Sequence, residues 1–443
     1  MKRRQFIHRG ALGGAGFLIL PSGLLRADTA ANEKLNIALI GVAGRAEAHH
    51  NWLKQQSIVA LCDIREDFLG QALKKFPKAK CYIDWRKCLD HPNLDAVVVC
   101  TADHHHALIS NWAMSRGLHV YCEKPHAISV EEARLLRANW LGRRGKIATQ
   151  VGTQMHAQEN YRRIKEMILD GAIGELQSVS AWGNRKIRRD GYLTGGGKPP
   201  ADLHWDLWLG PASNRQFHPD YFSGRPGANC LQWNMYWDWG AGQVGDMGSH
   251  MMDLVYSVTD ARLPTQIRAT GEAFNPEVTP VDLECHFDHP ANSWRGPILI
   301  SWFQGGRLPR TPRDFIDLDR IGHGAMFRGT EGFIIASYTQ RLLIPSGKVS
   351  DLSYYQPRPR EKQLPEIGAF HQDWIDSCKD PSRPTCCDFD YHGNIAEQMQ
   401  LGLVAYRAGQ ILEYDSERGV VTNFPEANAL LKRSYRAGWQ LDG

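Results

Sequence analysis

Short aliphatic runs alternate with helical patterns over the first third of the chain. The patterns predict buried strands at residues 35–40, 58–61, 96–100, 119–122 and 147–151. They predict helices at residues 46–55, 108–116 and 130–143. Strands that alternate with helices are typical of a parallel sheet covered on both faces. We therefore predict an α/β domain with a doubly wound Rossmann sheet at residues 34–155.

The pattern changes after residue 155. A helix at 161–170 is followed by predicted strands at residues 176–182, 266–273, 282–288, 298–303 and 332–337. Two closing helices are predicted at 367–378 and 394–408. Strands that follow one another without intervening helices favour a large, mostly antiparallel sheet. Residues 156–443 are therefore predicted to form a second, α+β domain for substrate binding and oligomerisation.

A glycine-bearing turn follows the first predicted strand. Its sequence is Gly41-Val42-Ala43-Gly44-Arg45-Ala46, and it leads into the first predicted helix. This layout is that of a dinucleotide fingerprint, in which a tight turn and a helix amino terminus hold the pyrophosphate. Of the three expected glycines only Gly41 is in place, and alanines occupy the other two positions. The predicted pyrophosphate contacts are Gly41, Ala43, Gly44, Arg45 and Ala46.

An acidic residue stands where the fingerprint places the ribose acceptor. Asp63 ends the second strand, 22 residues after Gly41. A carboxylate there accepts from both ribose hydroxyls and repels a 2′-phosphate, which favours NAD(H) over NADP(H). Arg65, two residues on, keeps NADP(H) open because it could pair with that phosphate.

The triplet Glu123-Lys124-Pro125 follows the predicted strand at residues 119–122. Ligands of open α/β sheets bind at the carboxyl ends of the strands, and an ammonium there can bond a substrate oxygen beside a dinucleotide. A lysine solvated in a surface loop is the alternative. The proline keeps Lys124 out of helical geometry.

A third motif, Gly245-Asp246-Met247-Gly248-Ser249-His250-Met251-Met252-Asp253, lies far downstream. If a helix starts here, Asp246 and His250 lie at i and i+4 on one face, and Asp253 follows a turn later. A carboxylate beside an imidazole suits general acid–base chemistry. A helix-start carboxylate next to a solvated histidine is the alternative.

These motifs together resemble the Gfo/Idh/MocA family of oxidoreductases. The resemblance covers nearly the whole chain after residue 34 and includes Thr101-Ala102-Asp103-His104-His105-His106, Gly171–Gly174, Trp205–Pro211 and Tyr406-Arg407. It implies a catalytic triad of Lys124, Asp246 and His250, which would also contact substrate. It further implies a homo-oligomer, a dimer or a tetramer.

The His104-His105-His106 triplet also invites a metal-site interpretation. We expect these side chains to diverge from a loop at the strand end and one of them to lie near the nicotinamide, with no metal bound. The remaining predicted cofactor contacts are Thr101, His104, His106, Glu123 and Lys124.

Tryptophan is concentrated between residues 182 and 239. Six of the chain's fourteen tryptophans lie there, and Trp237 and Trp239 directly precede the Asp246 motif. Sugars present apolar C–H faces to aromatic rings, which makes these two tryptophans candidates for a carbohydrate cleft. The alternative is that the rings fill the core.

The amino terminus resembles a twin-arginine export signal. Lys2-Arg3-Arg4-Gln5-Phe6-Ile7 precedes a weakly apolar stretch at 11–25 and a cleavage point at Ala27. Residues 1–27 therefore predict a signal peptide, the twin-arginine machinery as a partner and a periplasmic location. Because free nucleotide is not expected there, the cofactor should be tightly bound.

Composition narrows the partners further. The net charge is only +4 without a long basic run, which argues against nucleic acid. The ten cysteines contain no C-x-x-C pair, and adjacent Cys386 and Cys387 are expected to be structural.

The favoured function is an exported NAD(P)-dependent oxidoreductase acting on a hydroxyl or keto group of a sugar or cyclitol. A redox-neutral glycoside hydrolase or lyase, which oxidises its substrate transiently with tightly bound NAD, is the alternative. A non-catalytic nucleotide-binding protein is the third hypothesis, disfavoured because all three triad residues are present.

Overall fold

The computed structural model describes residues 34–224, 228–312, 316–346 and 355–441. Residues from Lys34 onward form one compact unit. The predicted signal at 1–27 lies outside the described residues. Within those residues, no helix has the length and apolar character needed to span a bilayer.

Six parallel strands form the first sheet, in the order β3-β2-β1-β4-β5-β6. The strands are β1 (Asn36–Ile40), β2 (Ser57–Cys62), β3 (Lys80–Tyr82), β4 (Ala96–Val99), β5 (His119–Cys122) and β6 (Thr149–Val151). Their connecting helices are α1 (His50–Leu53), α2 (Glu66–Lys75), α3 (Trp85–Cys88), α4 (Asp103–Ser115) and α5 (Val130–Leu141). This is the predicted Rossmann sheet, and its order changes direction between β1 and β4, where such sheets bind nucleotides.

The second sheet has nine strands in the order β13-β12-β11-β7-β10-β9-β8-β14-β15. They are β7 (Leu176–Gly183), β8 (Gln266–Gly271), β9 (Leu283–His289), β10 (Ile298–Gln304), β11 (His323–Gly329), β12 (Gly332–Ala336), β13 (Arg341–Pro345), β14 (Leu412–Asp415) and β15 (Val420–Val421). Only β7 and β10 pair in parallel among the described ladders. The mostly antiparallel sheet is therefore confirmed.

Further helices follow β6 in the chain. They are α6 (Glu159–Leu169), α7 (Trp205–Leu209), α8 (Cys230–Trp233), α9 (Gly242–Gly245), α10 (Met247–Thr259), α11 (Phe370–Lys379) and α12 (Tyr391–Ala408). Two of them, α10 and α12, pack on strands of the second sheet. Helix α10 packs in the core between α6, α12 and the strands β7 and β11. Burial on several sides explains why its sequence is apolar almost all round.

Two predicted elements differ from the structure near the nucleotide turn. The helix expected at 46–55 is a 3-10 helix at Gly44–Ala48 followed by the single turn of α1. The histidine triplet lies inside α4, which begins at Asp103, and not in a loop. All three histidines are buried, because the first turn of α4 is covered by the segment around Trp208.

Late parts of the chain complete the core of the first sheet. Phe370 and Trp374 of α11 pack in the same apolar cluster as β1 and β2. A closing strap at residues 433–441 lies against the other face, where Trp439 packs on Trp85. Asn111 of α4 donates to the carbonyl of Leu441 at 2.9 Å.

Candidate active site

The turn after β1 requires glycine at its first position. Gly41 has φ +80°, and a Cβ there would lie 2.5 Å from the carbonyl oxygen of Cys100. Gly44 has φ +63°, and Ala46 is fully buried beneath the turn. The turn thus passes close to the backbone that follows β4, at the switch point of the sheet, and a glycine-bearing turn in this place fits a dinucleotide pyrophosphate.

Asp63 is fixed by the same turn. Its carboxylate accepts from the backbone amide of Val42 at 2.9 Å and from that of Arg65 at 3.0 Å. Burial raises the pKa of Asp63 to about 6. The Arg65 guanidinium is held by two hydrogen bonds to Asp67, at 2.8 and 2.7 Å. Arg65 is therefore engaged by a carboxylate beside the predicted ribose site.

Glu123 anchors the turn to the end of β5. Its buried carboxylate accepts from Arg45 at 2.9 Å and pairs with His49 Nε2 at 2.7 Å. Burial opposes ionisation of Glu123, but the hydrogen bond from His49 and the charges around it lower its pKa well below the usual range. Arg45 and Glu123, both predicted cofactor contacts, thus bond to each other.

Lys124 meets two residues of the second half of the chain. Its ammonium bonds one oxygen of Asp246, and the guanidinium of Arg185 bonds the other. Burial alone would lower the pKa of Lys124, but the adjacent carboxylate raises it above the usual value. Burial raises the pKa of Asp246, but the charges of Lys124 and Arg185 outweigh it and lower the pKa to about 2. The pair is therefore fully ionised near neutral pH.

His250 lies on α10 beside this ion-pair cluster. Within the described residues it makes no hydrogen bond, and its Nδ1 is buried without a partner. Burial, followed by the charge of Lys124, lowers the pKa of His250 to about 3, so the ring is neutral. Its nearest aromatic neighbour is Tyr338, with ring centroids 6.0 Å apart. A neutral imidazole with free nitrogens can accept a proton.

The helix that carries the motif starts one residue later than expected. Asp246 precedes α10 as its N-cap residue, with φ −79° and ψ −82°, and does not lie in its interior. Its carboxylate is held by two cations and has no hydrogen bond to His250. Asp253 is turned away, because it pairs with His156 at 2.7 Å. The expected orientation of the ring by Asp246 is therefore absent, although their charges interact.

Two residues of the cluster were not found from the sequence. Asp103, the first residue of α4, is only 8% exposed and has Lys124 and Asp246 as charged neighbours. Burial raises the pKa of Asp103 well above its usual range. Its place directly after a strand end was a usable signal. Arg185 follows β7 of the other sheet, and nothing in the local sequence indicates that it reaches Asp246.

The predicted cofactor contacts after β4 serve other partners. His106 is buried, with its ring nitrogens 2.8 Å from the carbonyl oxygen of Pro125 and 3.0 Å from that of Thr101. It therefore bridges the loops that follow β4 and β5. The Nε2 of His104 lies 2.8 Å from the carbonyl oxygen of Trp208. His104 therefore contacts a buried backbone carbonyl and does not lie in a loop beside the nucleotide turn.

The two candidate tryptophans lie outside the ion-pair cluster. Trp239 is 0% exposed in an aromatic cluster with Trp208 and Tyr221, so its ring is closed to a ligand. Trp237 is half-buried and donates to the carbonyl of Asn275 at 2.9 Å, with the Arg407 guanidinium 5.3 Å from its ring. The core-filling alternative therefore describes Trp239.

A glycine-bearing turn at the switch point of the sheet and an ion-paired lysine at the end of β5 place the chain in the class of nucleotide-binding Rossmann proteins. Family comparison agrees with this class. Residues 35–149 match the model described as the oxidoreductase family, NAD-binding Rossmann fold. Residues 194–289 match the model of the C-terminal alpha/beta domain of that oxidoreductase family. Both matched segments are similar to the Gfo/Idh/MocA family of oxidoreductases.

Several curated relatives are similar over parts of the chain. Myo-inositol 2-dehydrogenase of Thermotoga maritima is 26% identical over 145 residues, which are 32% of this chain and 42% of the relative. A glycosyl hydrolase family 109 protein of Stenotrophomonas maltophilia is 28% identical over 222 residues, 46% of either chain. Levoglucosan dehydrogenase of Pseudarthrobacter phenanthrenivorans is 24% identical over 359 residues, 70% of this chain and 75% of the relative. The chain spans less than half the length of the first two relatives.

Solved structures share the whole fold at low identity. The WlbA dehydrogenase of Bordetella pertussis, in complex with NADH and UDP-GlcNAcA, superposes with a TM-score of 0.61 and 14% identity over 86% of this chain and 98% of that one. Levoglucosan dehydrogenase in complex with NADH and levoglucosan gives a TM-score of 0.54 and 16% identity over 86% and 99%. These likenesses establish the fold.

Proposed function

We propose that this protein is an NAD-dependent dehydrogenase that interconverts a secondary hydroxyl of a sugar or cyclitol and the corresponding ketone. The observation that carries the proposal is the Lys124–Asp246 ion pair, which lies beside a neutral His250 at the carboxyl edge of the nucleotide-binding sheet. The names of the relatives supply the substrate class, since inositol and levoglucosan both carry ring hydroxyls.

In this proposal each side chain handles charge or a proton. The ammonium of Lys124 bonds the reacting oxygen and stabilises the alkoxide character that develops on it. The neutral ring of His250 accepts the hydroxyl proton in oxidation and returns it in reduction. Asp246 holds the ammonium in place, and Arg185 donates to the other oxygen of Asp246. When bound, NAD would supply the hydride acceptor, which is C4 of its nicotinamide, for the hydride on the substrate carbon that bears the reacting oxygen.

The preference for NAD(H) over NADP(H) is part of the proposal. Asp63 stands at the ribose position, and a carboxylate there repels a 2′-phosphate. Arg65, a nearby cation that could reverse this preference, is engaged by Asp67 through two hydrogen bonds.

Turnover with a panel of polyols tests the function. Purified protein with NAD should produce NADH with at least one of myo-inositol, levoglucosan or a methyl glucoside, as followed by the absorbance of reduced nicotinamide. The product should be a ketone by mass spectrometry. Bound NAD without net reduction toward any polyol would contradict the dehydrogenase proposal.

Redox-neutral glycoside cleavage is the second candidate, supported by the similarity to a glycosyl hydrolase family 109 protein over 46% of the chain. Transient oxidation would acidify a neighbouring C–H and allow a glycosidic oxygen to leave. Release of the aglycone from an aryl glycoside at constant NADH, with activity dependent on bound NAD, would favour this candidate over the first.

We also propose that the chain is exported through the twin-arginine route with its nucleotide bound, and that it works as a dimer or tetramer. The motif at residues 2–7 supports the export, and the need to carry cofactor into a compartment without a nucleotide supply supports tight binding. Fractionation of cells that express the full chain tests the location, and light scattering of the purified protein tests the assembly.

A further inference from the structure

A histidine and two adjacent cysteines meet close to the candidate active site. His156 follows β6 in a 3-10 helix at Gln154–Ala157, and Cys386 and Cys387 lie in the loop between α11 and α12. One ligand atom from each of the three residues lies within 4.8 Å of the others. Imidazole nitrogen and cysteine sulfur are the ligands that Zn²⁺ prefers in proteins.

The imidazole is oriented as metal-bound histidines usually are. Its Nδ1 lies 2.7 Å from one carboxylate oxygen of Asp253, and the hydroxyl of Tyr391 donates to the same oxygen at 2.9 Å. A carboxylate on one ring nitrogen fixes the tautomer and presents the other nitrogen to a metal. The second oxygen of Asp253 is buried without a hydrogen-bond partner in the described chain.

The loop that carries the thiols is fixed on both sides. The backbone amide of Cys386 donates to the Asp373 carboxylate at 2.9 Å, and the amide of Val151 donates to the carbonyl of Cys387 at 2.9 Å. The Thr153 hydroxyl lies 3.4 Å from the sulfur of Cys387. Cys387 is fully buried, whereas Cys386 is half-buried and offers a path from solvent.

We propose that His156, Cys386 and Cys387 bind one Zn²⁺ ion. Two thiolates and a neutral imidazole balance the charge of a divalent cation, and binding releases the two thiol protons. A tetrahedral ion takes its fourth ligand from water or from the free oxygen of Asp253. This proposal replaces the expectation that the chain binds no metal and that the cysteine pair is only structural.

The position suggests that the ion ties three parts of the fold together. The ligands come from the end of β6 and from the loop before α12, and Asp253 lies one helical turn from His250 on α10. The ion would therefore hold the last strand of the nucleotide half to the helix that carries the proposed base.

Metal content and cobalt substitution test the site in the full chain. Protein purified under reducing conditions without chelator should contain one equivalent of zinc per chain. After metal removal, Co²⁺ should give a thiolate-to-cobalt charge-transfer band and the strong visible bands of a tetrahedral complex. Cys386→Ser, Cys387→Ser and His156→Gln should each weaken Co²⁺ binding by at least about tenfold, and Asp253→Asn by about 10–100-fold.

Matched variants separate the site from general thiol binding. Cys81→Ser removes an exposed thiol outside the cluster and should leave the cobalt spectrum unchanged. NAD affinity and cooperative thermal unfolding show that each variant is folded, independently of turnover. Absence of the charge-transfer band in reduced wild type, or its persistence in the Cys386→Ser/Cys387→Ser double variant, would overturn the proposal.

Discussion

Lys124 is the residue on which the proposed chemistry depends most. Lys124→Met removes a positive charge aimed at the reacting oxygen but no contact with the adenosine half of the cofactor. We expect kcat to fall by more than about tenfold, or 1.4 kcal/mol of transition-state stabilisation, with the Kd for NAD changed by a few-fold at most. Steady-state kinetics and nucleotide titration measure the two effects.

Lys165→Met is the matched control for that substitution. Lys165 also pairs with an aspartate, Asp260 at 2.6 Å, but at the partly exposed surface away from the sheet edge. Its loss should leave kcat unchanged. A Lys124→Met enzyme that retains more than a tenth of wild-type kcat would remove Lys124 from the proposed role.

Substitutions of Asp63 and Asp67 test the preference for NAD(H) over NADP(H) in two complementary ways. Asp63→Ala removes the ribose acceptor and the charge that repels a 2′-phosphate, so the Kd for NAD should rise about tenfold or more. Asp67→Ala removes both hydrogen bonds from the Arg65 guanidinium and leaves it a longer, 3.8 Å contact with Asp202, so it should strengthen NADP binding while leaving NAD binding nearly unchanged. Fluorescence titration of each variant with both nucleotides measures this. Wild-type protein that already prefers NADP would refute the assignment of Asp63.

At the scale of single residues, the sequence predicted motifs better than it predicted which side chains contact one another. Lys124, Asp246 and Asp63 were located because each follows a recognisable strand or turn. Arg185 was missed because it lies 61 residues from Asp246 along the chain. Trp239 was misplaced because the same aromatic residue suits a cleft and a core, and only its neighbours decide between them.

Strand β11 shows why an element can escape a pattern search. Its sequence, His-Gly-Ala-Met-Phe-Arg-Gly, contains two glycines and lacks clean alternation, although it pairs with both β7 and β12. The glycines are required by close packing, since a Cβ on Gly324 would lie 2.7 Å from Trp182 and one on Gly329 would lie 2.0 Å from the carbonyl of Ile173. Helices α5 and α12, by contrast, were predicted within about three residues of their observed bounds, whereas α2 was missed.

Gly329→Ala should therefore destabilise the second sheet. The new methyl group meets backbone at Ile173, which cannot rotate away as a side chain would, so we expect a loss of about 1–3 kcal/mol. Gly296→Ala is the control, because nothing lies within 4 Å of a Cβ at that position. Urea unfolding of both variants measures the difference. Equal midpoints would show that the strand moves freely.

The whole molecule should lose stability in mild acid because it buries many neutral histidines. Burial lowers the pKa of each of the following to about 3 or 4: His105, His250, His289, His371 and His392. Unfolding lets them protonate near their ordinary pKa of about 6.5. Their contribution is complete above that value and is lost as pH falls from about 6.5 to the folded pKa.

Buried carboxyl groups oppose this trend only in part. Burial raises the pKa of Asp63 and of Asp388 to about 6, so these groups favour the folded state in acid and lose that contribution as pH rises through about 4 to 6. Because the histidines outnumber them, the midpoint of urea unfolding should fall between pH 7 and pH 5. A midpoint that stays constant or rises would contradict the assignment of neutral buried rings.

The proposed export requires that the protein fold and bind its nucleotide tightly before it crosses the membrane. Arg3→Lys/Arg4→Lys should leave the chain in the cytoplasm, folded and loaded with nucleotide, while wild type reaches the periplasm. Exported wild type should keep its nucleotide through dialysis for hours, which at an on-rate on the order of 10⁶ M⁻¹s⁻¹ implies a Kd near about 0.1 nM. Mass spectrometry of released nucleotide measures retention. Apoprotein with micromolar affinity would point to an ordinary cytoplasmic dehydrogenase.

The strap at residues 433–441 constrains the order in which the parts of the protein can fold during synthesis. Trp85, in the nucleotide half, receives its neighbour Trp439 only after some 350 further residues have been made. The contact between Trp85 and Trp439 therefore cannot form until the ribosome has synthesised the strap. The nucleotide half remains incompletely packed until then, however regular its local sequence pattern. The apolar cluster around Trp85 is therefore complete only after Trp439 has been synthesised.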